Sequence, residues 1–147
     1  MPSVVLIAEP YGSLLFAPEV PCLIVQWHGF ANSSAFRSLM DRSLALYKAE
    51  ARRTKALGWL ADTRRLGALR SDVQQWMKDD WNLRATAASI RHVGLVAPET
   101  VFGQISVGTY TSNTVTSRAY ALTPRQHHTL EAAKTWLQTE LHRDPRA

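Results

Sequence analysis

The sequence predicts an α/β fold: a mixed sheet, antiparallel in its N-terminal strands and parallel in its C-terminal βαβ strands, with four helices in one domain spanning 1–147. Three observations lead there. The runs 58–62 (GWLAD) and 92–97 (HVGLVA) are apolar without alternation, which suits strands covered on both faces. Between them, Val73, Trp76, Met77, Trp81, Ala85 and Ala88 recur at helical steps, while Asp72, Gln75, Lys78 and Asp79 take the other side. The element order βββαβαβαβα then calls for crossover connections between parallel strands.

Taken in order, Val4 to Ala8 is aliphatic, Glu9-Pro10-Tyr11-Gly12 is a turn signal, and 13–17 is apolar again, so a hairpin opens the chain. Pro18 and Pro21 precede a third strand over 22–28 and place the hairpin near a sheet edge, because proline cannot donate to a ladder. Asn32-Ser33-Ser34 opens a long helix with Phe36, Leu39, Met40, Leu44, Tyr47 and Ala51 on one face. Its end is basic (Arg52, Arg53, Lys55), as the helix dipole favours. Ser71 and Gln74 have the spacing of a capping box, so the central helix is expected over 71 to about 89. Residues 98–107 read as a short helix, 109–116 as a polar loop and 117–122 as the last strand. Thr123-Pro124-Arg125-Gln126 has the form of a second capping box, placing the start of the last helix there and its end at Asp144-Pro145.

Composition narrows the class. Apolar residues at 46% and charged residues at 20% describe a globular chain. The N-terminal MPSVVLIAEP has no basic lead and no cleavage site, so no signal peptide is expected, and no apolar run reaches the length of a membrane span. The single cysteine, Cys22, sits in an apolar run and reads as an inert core residue; a cytoplasmic location accords with it. Net charge is +5, but acidic residues interrupt the basic ones, so a solvated face is expected rather than a nucleic-acid surface.

No catalytic constellation is expected, and no cofactor. The five histidines lack metal-site spacing, and the stretch from Gly103 to Gly108 (GQISVG) is neither a nucleophile elbow nor a phosphate-binding loop. Candidate binding residues come instead from position. Open α/β sheets bind ligands beyond the carboxyl ends of their parallel strands, where Asp62, Thr63, Arg64 and Arg65 fall, followed by Arg70 and Ser71. An anion could be held there by guanidinium groups and helix amides. Trp76 and Trp81 are read mainly as core, with an apolar pocket or a dimer interface as the alternative.

The strand ending Leu60-Ala61-Asp62 before a charged loop resembles the SpoIIAA-like, or STAS-like, domains of the anti-sigma-factor-antagonist group. So do Pro98-Glu99-x-Val101-Phe102-x-Gln104-x-Ser106 and Glu131-Ala132-Ala133-x-x-Trp136-Leu137. Many such domains stand alone as small bacterial proteins. The resemblance implies a cytoplasmic, non-enzymatic regulatory role through a protein partner or homodimer. It also implies a phosphorylatable serine at the start of the helix after the central strand. Ser71 holds that place, within Arg70-Ser71-Asp72-Val73 where the family pattern is Asp-Ser-x-Gly. The alternative function is binding of a small anionic or lipid-like ligand at the strand ends.

Overall fold

A computed structural model describes residues 2–143. Among these, the chain forms six strands and four helices: β1 (Val4–Glu9), β2 (Gly12–Ala17), β3 (Cys22–Trp27), α1 (Ser33–Ala51), β4 (Gly58–Asp62), α2 (71–87), β5 (His92–Val96), α3 (Val101–Thr116), β6 (Thr123–His127) and α4 (Leu130–Arg143). The sheet runs in chain order from β1 to β6. The pairs β1/β2 and β2/β3 are antiparallel; β3/β4, β4/β5 and β5/β6 are parallel. The mixed sheet expected from the sequence is therefore present, with β4 and β5 side by side and Trp59 opposite Val93.

The two sheet faces are covered unequally. On one, Leu23, Val25, Trp59, Val93 and Leu95 pack with residues of α1, α2 and α3 into the larger core. On the other, Ile24, Leu60 and Val96 pack under Ala133, Leu137 and Leu141 of α4. Successive crossovers of one hand put α1 to α3 on one side, and α4 closes the other. Gly58 lets α4 come close, since a Cβ there would lie 2.8 Å from Leu137 Cδ2. Edge strand β1 has a register shift between Val5 and Ile7, the irregularity that discourages edge-to-edge pairing.

Helix α2 is interrupted. Residues Ser71–Trp76 and Asn82–Ala87 are α-helical, and Met77–Trp81 forms a π-turn in which the Asn82 amide donates to the Met77 carbonyl. The buried apolar positions are Val73, Met77, Trp81 and Ala85, four residues apart each time. In a regular helix of 3.6 residues per turn, each such step overshoots by about 40°, so the seam would rotate away from the sheet within three steps. The underwound turn brings it back. Trp81 then lies wholly buried 5.3 Å from Trp59, and its indole N–H donates to the Met40 carbonyl at 3.1 Å.

Three expectations are corrected. Residues 101–116 form one helix, so the short helix and the polar loop are a single element capped by Thr100, whose Oγ1 accepts from the Gly103 amide. Two of its hydroxyls are spent internally: Thr114 donates to the Tyr110 carbonyl and Thr116 to that of Ser112. Buried Asn82 then ties Tyr110, Thr114 and Tyr120 together. The last strand is 123–127 rather than 117–122, and the last helix begins at Leu130, with Thr129 Oγ1 accepting from the Ala132 amide. A parallel partner for β5 outweighs local capping, and Pro124 is tolerated because β6 is an edge strand. The N-cap of α2 is Arg70, without a side-chain cap bond, because Gln74 donates to the Ser106 carbonyl instead of reaching back. The expected stop at Asp144-Pro145 lies outside the described residues.

Helix α3 approaches the β4–α2 loop so closely that a Cβ on Gly103 would lie 2.3 Å from the Leu66 carbonyl oxygen. Replacing Gly103 with Ala is expected to cost about 1–3 kcal/mol as overpacking. The measurement is the urea midpoint, which falls while the slope of the unfolding curve stays constant.

Candidate functional site

The parallel strands β3, β4 and β5 point their carboxyl ends at one rim, formed by the segments after Trp27, Asp62 and Val96. Across this rim lies the loop of residues 63–70. The Leu66 amide donates to the Thr63 carbonyl and closes a turn, while the Glu99 amide donates to the Arg64 carbonyl. Ser106 of α3 is the second fastening. Its Oγ accepts from the Leu69 amide at 2.9 Å and donates to the Gly67 carbonyl at 3.0 Å. Ser106, in a stretch whose sequence fits neither a nucleophile elbow nor a phosphate loop, thus pins a loop.

The residues chosen from sequence are brought to this rim, and most of their polar capacity is used within the chain. Asp62 is 3% exposed and accepts from Arg64 through two nitrogens, at 2.9 and 2.6 Å, and from Gln26 Nε2 at 3.2 Å. Burial alone would push the Asp62 carboxyl up, but these donors outweigh it and hold the group below its ordinary value. Thr63 is buried and donates to the Val96 carbonyl, joining β4 to β5. Arg70 pairs with Asp72 at 3.0 Å. Ser71 is exposed at the first helical position, beside Asp72, whose carboxylate also lies 3.6 Å from Arg37. Arg65 is exposed and has no ion pair among the described residues.

The two tryptophans divide. Trp81 is 0% exposed, so it belongs to the core and offers no interface. Trp76 is half-buried, with the Arg37 guanidinium 5.5 Å and that of Arg84 5.8 Å from its ring centroid. Both distances are within cation–π range. The basic residues do not share one face either: Arg52, Arg53 and Lys55 precede β4, whereas Arg64 and Arg65 follow it at the opposite end.

What sequence reasoning missed is apolar. Phe30, after β3, is 80% exposed; Val101 and Phe102, at the start of α3, are each 67% exposed. Phe30 walls an open groove of about 540 Å³ on one side of Ala68 and Leu69, and Phe102 walls another of about 370 Å³ on the other. Their signal was a large apolar residue directly after a strand or at a helix start, outside any buried periodicity. Beneath the loop lies a small apolar cavity of about 50 Å³ between the sheet and α1 to α3, lined by Trp27, Phe36, Trp59, Met77, Trp81 and Tyr110. Leu66 and Leu69 also line it, from the loop.

These features define a class: an α/β domain with an apolar rim over the carboxyl ends of its parallel strands. Compared with family models, curated proteins and solved structures, the chain matches none. Among the described residues no three His, Cys, Asp or Glu side chains cluster as a metal site would require, and no helix is long and apolar enough to cross a membrane.

Removing the Arg64 side chain leaves a buried carboxylate without its main partner. Arg64→Ala is expected to lose about 2 kcal/mol at neutral pH. In the native chain the Asp62 contribution is fully present above the unfolded carboxyl value and is lost as pH falls through the lower folded value. In the variant, burial is less opposed and that carboxyl rises. The stability gap between the two chains therefore closes in acid, as urea titrations across the acidic range will show.

Proposed function

We propose that this protein is a non-enzymatic regulatory or interaction module of STAS-like kind that binds a protein partner at the rim over the carboxyl ends of β3, β4 and β5. The observation carrying this reading is the pair Phe30 and Phe102, exposed on either side of residues 68–73 and each walling a groove. Large apolar side chains flanking a concave surface, with Arg65 nearby and without an ion pair among the described residues, suit an apolar partner segment carrying a carboxylate. The charged residues singled out from sequence have a different part: Arg64 and Asp62 shape the loop, while Arg65 is free to meet the partner. The antiparallel hairpin leading into parallel βαβ units is the architecture the resemblance implies. In that setting a phosphate on Ser71 would compete with Asp72 for Arg70 and Arg37 and alter the same surface.

Affinity capture from the source cell tests this reading. A specific partner is expected with the unaltered chain, and Phe30→Ala with Phe102→Ala should reduce its recovery at least tenfold without changing the fold. Arg65→Ala should weaken capture less and make it less salt-sensitive. Equal recovery by all variants would sink the rim.

A second reading, a small apolar ligand, is favoured by the cavity under the loop. At about 50 Å³ it holds a few atoms, so a larger ligand requires Leu66 and Leu69 to move outward. Native mass spectrometry of freshly purified protein separates the readings: a retained apolar molecule supports the second, and a bare chain counts against it.

A further inference from the structure

Helix α3 is apolar on two opposite sides. One side, Gly103, Ser106, Val107, Tyr110 and Thr114, is buried within the fold. The other carries Val101, Ile105, Gly108, Ser112 and Val115, spaced four, three, four and three residues apart, and all five are exposed. Val101, Ile105 and Val115 are 67, 62 and 60% exposed. At 3.6 residues per turn, this spacing keeps every member within about 40° of one line pointing straight away from the buried side. Such spacing suits the seam of a packed helix pair, whereas a solvated helix face ordinarily carries charge. None of the 16 residues of α3 is charged.

We propose that this stripe joins two copies of the chain in an antiparallel pair of α3 helices, with the twofold axis at Gly108. Two observations select a second copy as the occupant, and a third sets how tightly it is held. The first is the symmetry of the stripe: Val101 and Val115 lie seven residues either side of Gly108, and Ile105 and Ser112 lie three and four residues away. Turned end for end, Val101 of one copy meets Val115 of the other, Ile105 meets Ser112, and the two glycines face each other, letting the backbones approach. Within its own chain, a Cβ on Gly108 meets nothing within 4 Å, so monomer packing does not call for glycine there.

The second observation is charge. A chain of formal charge +5 carries a net repulsion against its own copy, to which the uncharged α3 adds nothing. Antiparallel pairing also brings exposed Glu99, just before one helix, toward exposed Arg118, just after the other. Parallel pairing would set like charges together and align the helix dipoles. The third is area. A 16-residue helix is about 24 Å long, and a pair packed 8–10 Å apart covers roughly 500 Å² on each copy. A standard interface covers about 800 Å² per partner, so the pair belongs to the weak, concentration-dependent class.

The proposal goes beyond the rim reading and can fail separately from it, because Val115 lies about 20 Å along the helix from Val101 at the rim. Sedimentation of the unaltered chain is expected to show its mass doubling as concentration rises. Val115→Lys should weaken that association at least tenfold while leaving circular dichroism unchanged. Gly108→Cys should give a disulfide-linked dimer on mild oxidation, and a mixture of Val101→Cys with Val115→Cys should give the mixed dimer. Native Cys22 is silent in this assay, being 0% exposed with its thiol pushed up to about 12 by burial. The idea is overturned by a chain that stays monomeric at its solubility limit, whether or not it binds lipid vesicles. It is equally overturned by a dimer that survives Val115→Lys, such as one built on the β1 edge, or by cross-linking of Val101→Cys to itself in preference to Val115→Cys.

Discussion

Helix α2 can face the sheet along its whole length because its backbone is underwound between Met77 and Trp81. Everything on the larger face depends on that adjustment. It brings Trp81 against Trp59 with its indole N–H on the Met40 carbonyl, so that one side chain touches the sheet, α2 and α1 together. It also places Asn82 where its amide can reach Tyr110, Thr114 and Tyr120, which fixes the position of α3. A buried amide of this kind is worth keeping when every polar atom is satisfied, and Asn82 uses both its oxygen and its nitrogen.

With α3 held in place, the rim over the strand ends takes its form. Gly103 allows the helix to lie against the Leu66 carbonyl, Ser106 grips the loop from both sides, and Arg64 and Asp62 set its root. The consequence for function is a change of chemical character. Asp62, Thr63 and Arg64, half of the residues that as a sequence suggest an anion site, are consumed in shaping the loop, and the large side chains exposed beside it are aromatic and aliphatic.

Helix α3 shows why its neighbourhood was hard to read in one dimension. A segment rich in Thr, Ser, Asn and Gly has weak intrinsic helicity, and the stretch from Thr109 onward carries the composition of a loop. The hydroxyls of Thr114 and Thr116 bond to carbonyls four residues back, and Tyr110 and Thr114 are buried against a distant helix, so tertiary contacts outweigh local preference. The same reversal befell residues 123–127. There a local capping pattern lost to the free edge of β5, whose backbone groups gain more from a parallel partner than Thr123 and Gln126 gain from each other.

Unalternated apolar runs at Gly58–Asp62 and 92–97, the amphipathic stretch between them and the hairpin signal at Pro10 to Gly12 were enough to determine the α/β class, the parallel pairing at the centre and the antiparallel start. Those features are periodic, and periodicity is written along the chain. The sequence also determined which loop lies beyond the strand ends, because strand direction follows from the crossovers. What the tertiary structure decided was which charges are already partnered, where α3 runs without a break, and which apolar side chains are left outside. Asp62 and Arg64 are neighbours whose pairing depends on burial. Phe30, Phe102 and Val115 fall outside the buried periodicities, and only the packing of other elements settles that they stay uncovered. Exposure belongs to the assembled surface, and no single segment carries it.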